Sequence, residues 1–213
     1  FSDGFTDTTG TCLQNHTPDT TGASWYTLFQ ASAQMIVQGN ELRGNAAAVG
    51  MGQTCGAALA PVVNDHEIEI TMSNADTSTA TRRVGLHGRL TTIDDYYKAE
   101  FLPPAHTSND CTLFKKVLGT KTSLATVDTG LAASDILTFR ITDENKVLYK
   151  NGTCIISTND NAISALGLAA VSMGRVDAND SANVQTIWRF DDFLVRELDT
   201  ICTKSAQQTV YRM

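Results

Sequence analysis

The sequence predicts an all-β fold, on three observations. Short segments of alternating apolar and polar residues recur along the 213 residues. Clusters of Gly, Asn, Asp, Ser and Thr separate these segments, which is typical of a β-sandwich or barrel. Threonine, a β-branched residue that favours pleated sheets, occurs 29 times. No segment has convincing helical periodicity, and we interpret residues 162–170, the nearest candidate, as a turn followed by a strand.

The clearest predicted strand spans residues 66–72, where Ile68, Ile70 and Met72 lie on one face and Glu67, Glu69 and Thr71 on the other. The other predicted strands span residues 24–29, 33–38, 82–90, 96–101, 112–118, 123–128, 137–142, 146–150, 154–156 and 166–173. Their even spacing along the chain indicates one all-β domain.

Two local features of the strands are also predicted. The Asn151-Gly152 step between two alternating segments predicts a tight hairpin turn, because both residues accept a positive φ. Near the end of the chain, the large apolar residues occupy even positions up to Phe190 and odd positions from Phe193. A regular strand with one buried face does not change phase in this way, so we predict a β-bulge at Asp191–Asp192.

Composition and charge exclude several classes of function. The chain has 16 Lys+Arg and 23 Asp+Glu, and its net charge of −7 counts against a nucleic-acid interface and against anionic membranes. No apolar run is long enough for a transmembrane helix. We predict a single domain over residues 1–213, of which residues 199–213 form a short C-terminal extension. Because the chain begins at Phe1 and has no signal-peptide pattern, we expect a processed chain or a piece of a longer one.

Several motifs follow one another in a characteristic order along the chain. They include Phe1-x-Asp3-x-Phe5, Gly85-Leu86-His87-Gly88-Arg89, Tyr149-Lys150-Asn151-Gly152 and Asp191-Asp192-Phe193-Leu194-Val195. The series covers roughly residues 1–198 and resembles the concanavalin A-like (laminin-G-like) jelly-roll modules of bacterial extracellular proteins and phage virion proteins. The resemblance implies an antiparallel β-sandwich of two sheets, with the first and last strands adjacent.

The same adjacency makes a disulfide between Cys12 and Cys202 a candidate, since these residues follow the first and the last strand. The other cysteines are Cys55, Cys111 and Cys154. An odd count leaves at least one thiol unpaired within the chain, and five buried, reduced cysteines are the open alternative.

Calcium is the one candidate cofactor. Laminin-G-like modules often bind Ca²⁺ through loop carboxylates and backbone carbonyls, and the resemblance makes Asp3, Asp7, Asp191 and Asp192 candidate ligands. The alternative for Asp7 is an Asx turn with its threonine neighbours.

A glycan-binding site would need an aromatic ring beside hydrogen-bonding groups. The available rings are Trp25, Tyr26, Tyr96 and Tyr97, of which Trp25, Tyr96 and Tyr97 are the candidates. Tyr96 and Tyr97 are neighbours on a predicted strand, so they point to opposite faces and at most one is exposed on a given face. A tryptophan in a sandwich is more often a core residue than a sugar platform, and this alternative stays open for Trp25.

The sequence offers no intact catalytic motif. Family 16 glycoside hydrolases share the concanavalin A-like fold, and Glu67 and Glu69 faintly resemble their acidic strand, but Thr71 and Met72 stand where the third acid should follow. We therefore expect a solvated polar face rather than an enzyme. The four histidines have no metal-ligand spacing: His16, His66, His87 and His106.

These observations favour a non-catalytic module that acts as a structural, decoration or adhesion protein on the surface of a virion or extracellular assembly. Its partner would be a protein lattice or a second copy of the chain. The alternative is a lectin-like module that binds a cell-surface glycan, and a glycosidase is the least favoured. The expected location is the virion surface or the extracellular space.

Overall fold

The computed structural model describes residues 1–6, 11–29, 35–44, 54–58, 65–74, 82–102, 110–175 and 189–198. Apart from one short 3-10 helix at Leu13–Asn15, the regular elements of these residues are strands. They are β1 (Ser2–Asp3), β2 (Thr11–Cys12), β3 (Ser24–Phe29), β4 (Met35–Val37), β5 (Leu42–Gly44), β6 (Thr54–Ala58), β7 (His66–Asn74), β8 (Arg82–Thr92), β9 (Asp95–Phe101), β10 (Cys111–Val117), β11 (Thr120–Val127), β12 (Ile136–Ile141), β13 (Asn145–Lys150), β14 (Thr153–Asn159), β15 (Leu168–Arg175) and β16 (Arg189–Glu197).

Among the described residues, the strands form two antiparallel sheets, which confirms the predicted sandwich. The nine-stranded sheet has the order β14-β13-β12-β7-β16-β5-β4-β2, with β1 paired to β16. The seven-stranded sheet has the order β11-β10-β9-β8-β15-β6-β3. Ser2 lies opposite Leu194 and Asp3 opposite Phe193, so the first and last described strands are adjacent, as expected.

The two predicted local features are confirmed. Asn151 and Gly152 have φ values of 50° and 75° and join β13 to β14. In the ladder between β16 and β7, Phe190 lies opposite Met72 and Phe193 opposite Ile70. Three steps along β16 therefore match two along β7, and the extra residue lies at Asp191–Asp192. The bulge keeps both phenylalanines in the core, at 0% and 1% exposure.

The predicted strands coincide with observed ones, although their ends differ by up to three residues. The part of the predicted strand 33–38 that precedes Met35 lies outside the described residues. Strands β2, β5 and β6 were not predicted. The first two have only two and three residues, and β6 (Thr-Cys-Gly-Ala-Ala) has no large apolar side chain to give a period-2 signal.

The core lies between the sheets and is built from the inward-facing residues of both. The nine-stranded sheet contributes Ile68, Ile70 and Phe139, and the seven-stranded sheet contributes Leu86 and Tyr97; all are at most 1% exposed. Neighbouring residues on each strand therefore point to the outer faces. The predicted extension at residues 199–213 lies outside the described residues, so the domain bounds stay a prediction.

No helix in the described part of the chain is long and apolar enough to cross a membrane.

Candidate functional site

Asp3, a candidate calcium ligand, is a core residue with 2% exposure. Its Oδ1 accepts a hydrogen bond from the Phe5 amide at 2.9 Å and lies 2.8 Å from Nε2 of His16. Its Oδ2 accepts a hydrogen bond from Nε1 of Trp25 at 2.6 Å. Both carboxylate oxygens are therefore engaged by groups within the protein, and the Asp3 side chain is not available to a calcium ion.

The other candidate ligands are placed differently. Asp7 lies outside the described residues, whereas Asp191 and Asp192 are exposed at the bulge of β16. Asp192 lines a pocket of about 240 Å³ together with Asp19 and Glu69. Within the described ranges, no group of three His, Cys, Asp or Glu residues could hold a metal ion. Calcium binding stays a prediction, without Asp3 as a ligand.

Trp25 is also a core residue, with 3% exposure. Its ring packs against those of Phe1 and Phe193, at centroid distances of 5.2 Å and 5.0 Å. Burial of the indole N–H requires an acceptor, and Asp3 supplies it. Trp25 is therefore a core tryptophan, which was the open alternative, and its ring has no exposed face for a sugar.

Glu67 and Glu69 lie on the outer face of the nine-stranded sheet, but Glu67 is 6% exposed rather than solvated. Arg140 binds Glu67 at 2.7 Å, and Arg196 binds Glu67 at 2.8 Å and Glu69 at 3.3 Å. Burial alone would raise the pKa of Glu67, but the hydrogen bonds and charges of the two arginines hold it below its ordinary value. An ionised carboxylate is unsuited to protonate a leaving group. The absence of catalysis stays a prediction.

The cysteine prediction remains open. Cys12 is half-buried at the end of β2, and Cys202 lies outside the described residues. Two other cysteines carry free thiols: Cys111 is buried and Cys154 is exposed. Burial foremost, and nearby carboxylates, raise the pKa of the Cys111 thiol, which therefore stays protonated and unreactive.

A second group of residues lies together on the outer face of the seven-stranded sheet. Strands β8, β9 and β10 are neighbours in this sheet, and Leu86, Tyr97, Ala99 and Leu113 point into the core. Residues next to these in the sequence therefore point outward. We call the group of His87, Tyr96, Lys98, Glu100 and Phe114 the outer cluster.

The outer cluster contains three adjacent rings. The centroid of the Tyr96 ring lies 4.9 Å from that of His87 and 6.2 Å from that of Phe114. His87 and Phe114 are 3% and 2% exposed, whereas Tyr96 is half-buried. Tyr97 is fully buried and donates a hydrogen bond to Oδ1 of Asp160 at 2.6 Å. Of the three predicted rings, Tyr96 is therefore the one that reaches this surface.

His87 has one satisfied and one unsatisfied nitrogen. Its Nε2 lies 2.7 Å from the hydroxyl of Ser172, whereas its buried Nδ1 has no hydrogen-bond partner in the described structure. Burial, and the charge of Lys98, hold the pKa of His87 well below its ordinary value, so the ring is neutral. A neutral imidazole with a free nitrogen can donate or accept one further hydrogen bond, depending on its tautomer.

Three cations surround the Glu100 carboxylate. Arg83 Nη1 lies 2.7 Å from Oε1, Lys98 Nζ lies 2.9 Å from Oε2, and Lys121 Nζ lies 3.4 Å from Oε1. Gly85 leaves room for this arrangement, because a Cβ atom there would lie 2.0 Å from Cε of Lys98. The outer cluster thus combines rings, fixed donors and a fixed acceptor on rigid strands.

Sequence reasoning identified Tyr96 but missed the rest of the outer cluster. The alternation of residues 82–90 and 96–101 already placed His87 on one face of its strand, and Lys98 and Glu100 on one face of theirs. The missing information was the register, which puts His87 opposite Lys98, and Lys98 opposite Phe114.

Comparison with solved structures identifies the fold. The carbohydrate-binding module CBM66 from Bacillus subtilis is 14% identical, with a TM-score of 0.53, over 81% of this chain and 92% of that module. A β-1,3-1,4-glucanase (lichenase) from a mouse hindgut metagenome is 11% identical, with a TM-score of 0.59, over 93% and 99% of the two chains. These likenesses show a concanavalin A-like jelly roll.

A third similar structure is that of botulinum neurotoxin type C, whose cell entry depends on interaction with two ganglioside molecules. It is 14% identical, with a TM-score of 0.55, over 89% of this chain and 48% of the toxin chain. The sequence matches no protein-family model, and no curated protein is significantly similar to it.

Proposed function

We propose that this concanavalin A-like jelly roll is a glycan-binding module, and that the outer cluster is its binding site. The observation that carries the proposal is the half-buried Tyr96 ring, fixed between His87 and Phe114 and next to polar groups. A sugar offers an apolar ring face together with hydroxyl groups. An amphipathic aromatic side chain beside fixed donors and acceptors matches both.

The polar groups of the outer cluster suit hydroxyl recognition. Lys98 and Glu100 hold each other in place at 2.9 Å, and a fixed ammonium and a fixed carboxylate can donate to and accept from ligand hydroxyls. Because the side chains of the outer cluster stand on neighbouring strands, binding would require little reorganisation.

Similar folds support this choice among the candidate functions. One similar structure is a carbohydrate-binding module, another is a glucanase, and a third is a toxin that interacts with gangliosides. We propose binding without catalysis for this chain, because Arg140 and Arg196 hold Glu67 in the ionised form, which cannot act as the general acid, and Thr71 and Met72 stand where a third acid should follow.

The proposal can be tested on a glycan array with three proteins: wild type, Tyr96→Ala and Tyr149→Ala. Tyr149 is a half-buried tyrosine on the other sheet, where it packs beside Arg140, and it serves as the matched control. We expect the wild type and Tyr149→Ala to bind the same glycans. Tyr96→Ala should bind them about tenfold or more weakly, since stacking on an aromatic ring contributes on the order of 1 kcal/mol or more.

A wild-type protein that binds no glycan, or a Tyr96→Ala variant that binds as well as the wild type, would overturn the proposal. Circular dichroism and thermal unfolding of both variants would first establish that they fold. Tyr96 and Tyr149 are both half-buried rather than core residues, so we expect both variants to fold.

A second candidate function is that of a decoration or adhesion module in a virion or extracellular assembly. The edge strands favour it: Thr120–Ser123 of β11 are all exposed, and Cys154 on β14 is exposed. Such a module should bury about 1,000 Å² or more against its lattice or another copy. Light scattering that finds only monomers, together with failure to bind particles, would count against it. The virion-surface or extracellular location stays a prediction for either function.

A further inference from the structure

The surface at the outer cluster has a surplus of positive charge once the neighbouring Arg83 and Lys121 are counted, although the chain as a whole has a net charge of −7. Three cations, Arg83, Lys98 and Lys121, share the carboxylate of Glu100 at 2.7 to 3.4 Å. Among the described residues, one carboxylate and three cations leave two positive charges uncompensated. The nearby Lys116 does not add to this surplus, because it pairs with Asp94 at 2.8 Å.

The buried groups of the cluster respond to this charge. Burial foremost lowers the pKa of Lys98, and the charges of Lys121 and Arg83 lower it further, while Glu100 opposes them. Burial alone would raise the pKa of Glu100, but the three cations hold it below its ordinary value. The carboxylate is therefore ionised at neutral pH and compensates one of the positive charges around it.

Two of the cations are open to an incoming group. The side chains of Lys121 and Arg83 are 47% and 32% exposed, whereas that of Lys98 is 13% exposed. Lys121 Nζ lies 3.7 Å from the centroid of the Phe114 ring, at the same surface as Tyr96. Arg83 donates to Glu100 through Nη1, and its buried Nε has no hydrogen-bond partner in the described part of the chain.

We propose that the ligand of the outer cluster is an acidic saccharide, whose carboxylate or sulfate group binds between Arg83 and Lys121 while a sugar ring contacts Tyr96. This inference rests on the proposed glycan-binding function and specifies its substrate class. The exposed part of the guanidinium supplies directed donors, and the ammonium supplies a second charge. Lys98 keeps Glu100 in place at 2.9 Å and offsets part of its negative charge.

The test is a glycan array with matched acidic and neutral forms of the same backbones, including oligogalacturonate and its methyl ester, sialylated and desialylated glycans, and sulfated and unsulfated glycans. The proteins are wild type, Arg83→Gln, Lys121→Gln, Tyr96→Ala and the control Arg196→Gln. Arg196 lies on the other sheet, pairs with Glu67 and Glu69, and is 49% exposed. The uronate, sialic acid and sulfate arms distinguish the sources of the anion.

We expect the wild type to prefer the acidic member of at least one pair. Arg83→Gln and Lys121→Gln should each weaken that binding about tenfold, the usual scale for a hydrogen bond to a charged group, and Arg196→Gln should not. Binding should also weaken when the NaCl concentration is raised from about 50 mM to about 500 mM, because the salt screens the charges of the protein and the ligand.

Two other outcomes separate this inference from the proposed function. Preference for neutral glycans, with binding lost in Tyr96→Ala but kept in Arg83→Gln and Lys121→Gln, would overturn the acidic ligand and leave the glycan site standing. Absence of binding to every glycan, or binding indifferent to Tyr96→Ala, would overturn both.

Discussion

Asp3 joins the paired terminal strands to the core through its buried carboxylate. Its carboxylate is buried in β1, and it binds the Trp25 indole N–H at 2.6 Å and the Phe5 amide at 2.9 Å. His16 lies at 2.8 Å from the same carboxylate. A position that the sequence marked as a calcium ligand is therefore a structural acceptor, which joins the first strand to the core around Trp25.

We expect Asp3→Ala to lower the free energy of unfolding by about 3 kcal/mol or more, because it leaves buried donors without an acceptor. Asp192→Ala is the matched control. Its carboxylate is exposed at the bulge, so its loss should cost no more than about 0.5 kcal/mol. Urea denaturation measures both. Equal losses in the two variants would contradict the structural role of Asp3.

His87 predicts a pH dependence of stability. Burial foremost, and then Lys98, hold its pKa well below the value near 6.5 that it has in the unfolded chain. Below about pH 6.5 the unfolded chain binds the extra proton first, so the free energy of unfolding falls as the pH falls, by up to about 1.4 kcal/mol per pH unit from this group.

The measurement compares wild type with His87→Gln by urea denaturation at pH 7 and pH 5. We expect the wild type to lose more stability than the variant over this interval, because glutamine has no proton to bind. Equal losses of stability in the wild type and in His87→Gln would contradict this prediction, because they would show that the folded state protonates His87 as readily as the unfolded chain does.

The bulge of β16 shows what a local pattern can and cannot predict at the scale of one element. The phase change between Phe190 and Phe193 predicted it, because both rings must face the core. Strand β6 gave no comparable signal, since its glycine and alanines do not alternate with polar residues. It is nonetheless a strand, because it pairs with β3 and β15 on either side.

Two glycines in or beside the seven-stranded sheet differ in what surrounds them. A Cβ atom at Gly167 would lie 2.4 Å from the carbonyl carbon of Arg89 and 2.6 Å from the amide nitrogen of Leu90. A Cβ atom at Gly85 would meet Cε of Lys98 at 2.0 Å. Backbone atoms of a paired strand cannot move aside, whereas the end of a lysine side chain can.

We therefore expect Gly167→Ala to lower the free energy of unfolding by about 3 kcal/mol or more, and Gly85→Ala by about 1 kcal/mol. Gly85→Ala should also weaken glycan binding, because it displaces Lys98 from Glu100. Thermal unfolding and urea denaturation of the two variants provide the check. A larger loss for Gly85→Ala would contradict the close backbone approach at Gly167.

At the scale of the whole molecule, the sequence was sufficient to predict the two-sheet sandwich and the pairing of its first and last strands. Alternation located the strands, and the motif order implied that β1 and β16 are neighbours. It was not sufficient to predict the outer cluster, because the contacts of Tyr96, Lys98 and Glu100 are with residues on other strands. Arg83 on β8 and Lys121 on β11 contact Glu100 on β9 through the pairing of the seven-stranded sheet.

Two groups of ion pairs, one on each sheet, differ in charge balance. On the nine-stranded sheet, Arg140 and Arg196 are matched by Glu67 and Glu69. On the seven-stranded sheet, three cations share the carboxylate of Glu100 among the described residues. This local surplus lies beside the half-buried Tyr96 ring and would attract an anionic ligand.

The most direct test of glycan binding at the outer cluster is an amide chemical-shift titration of the folded protein with the glycan that it binds most tightly on the array. We predict that the shifts concentrate on β8, β9 and β10, around His87, Tyr96 and Phe114, and that the nine-stranded sheet is unaffected. Shifts confined to the nine-stranded sheet, or to the pocket beside Asp19 and Asp192, would contradict the account.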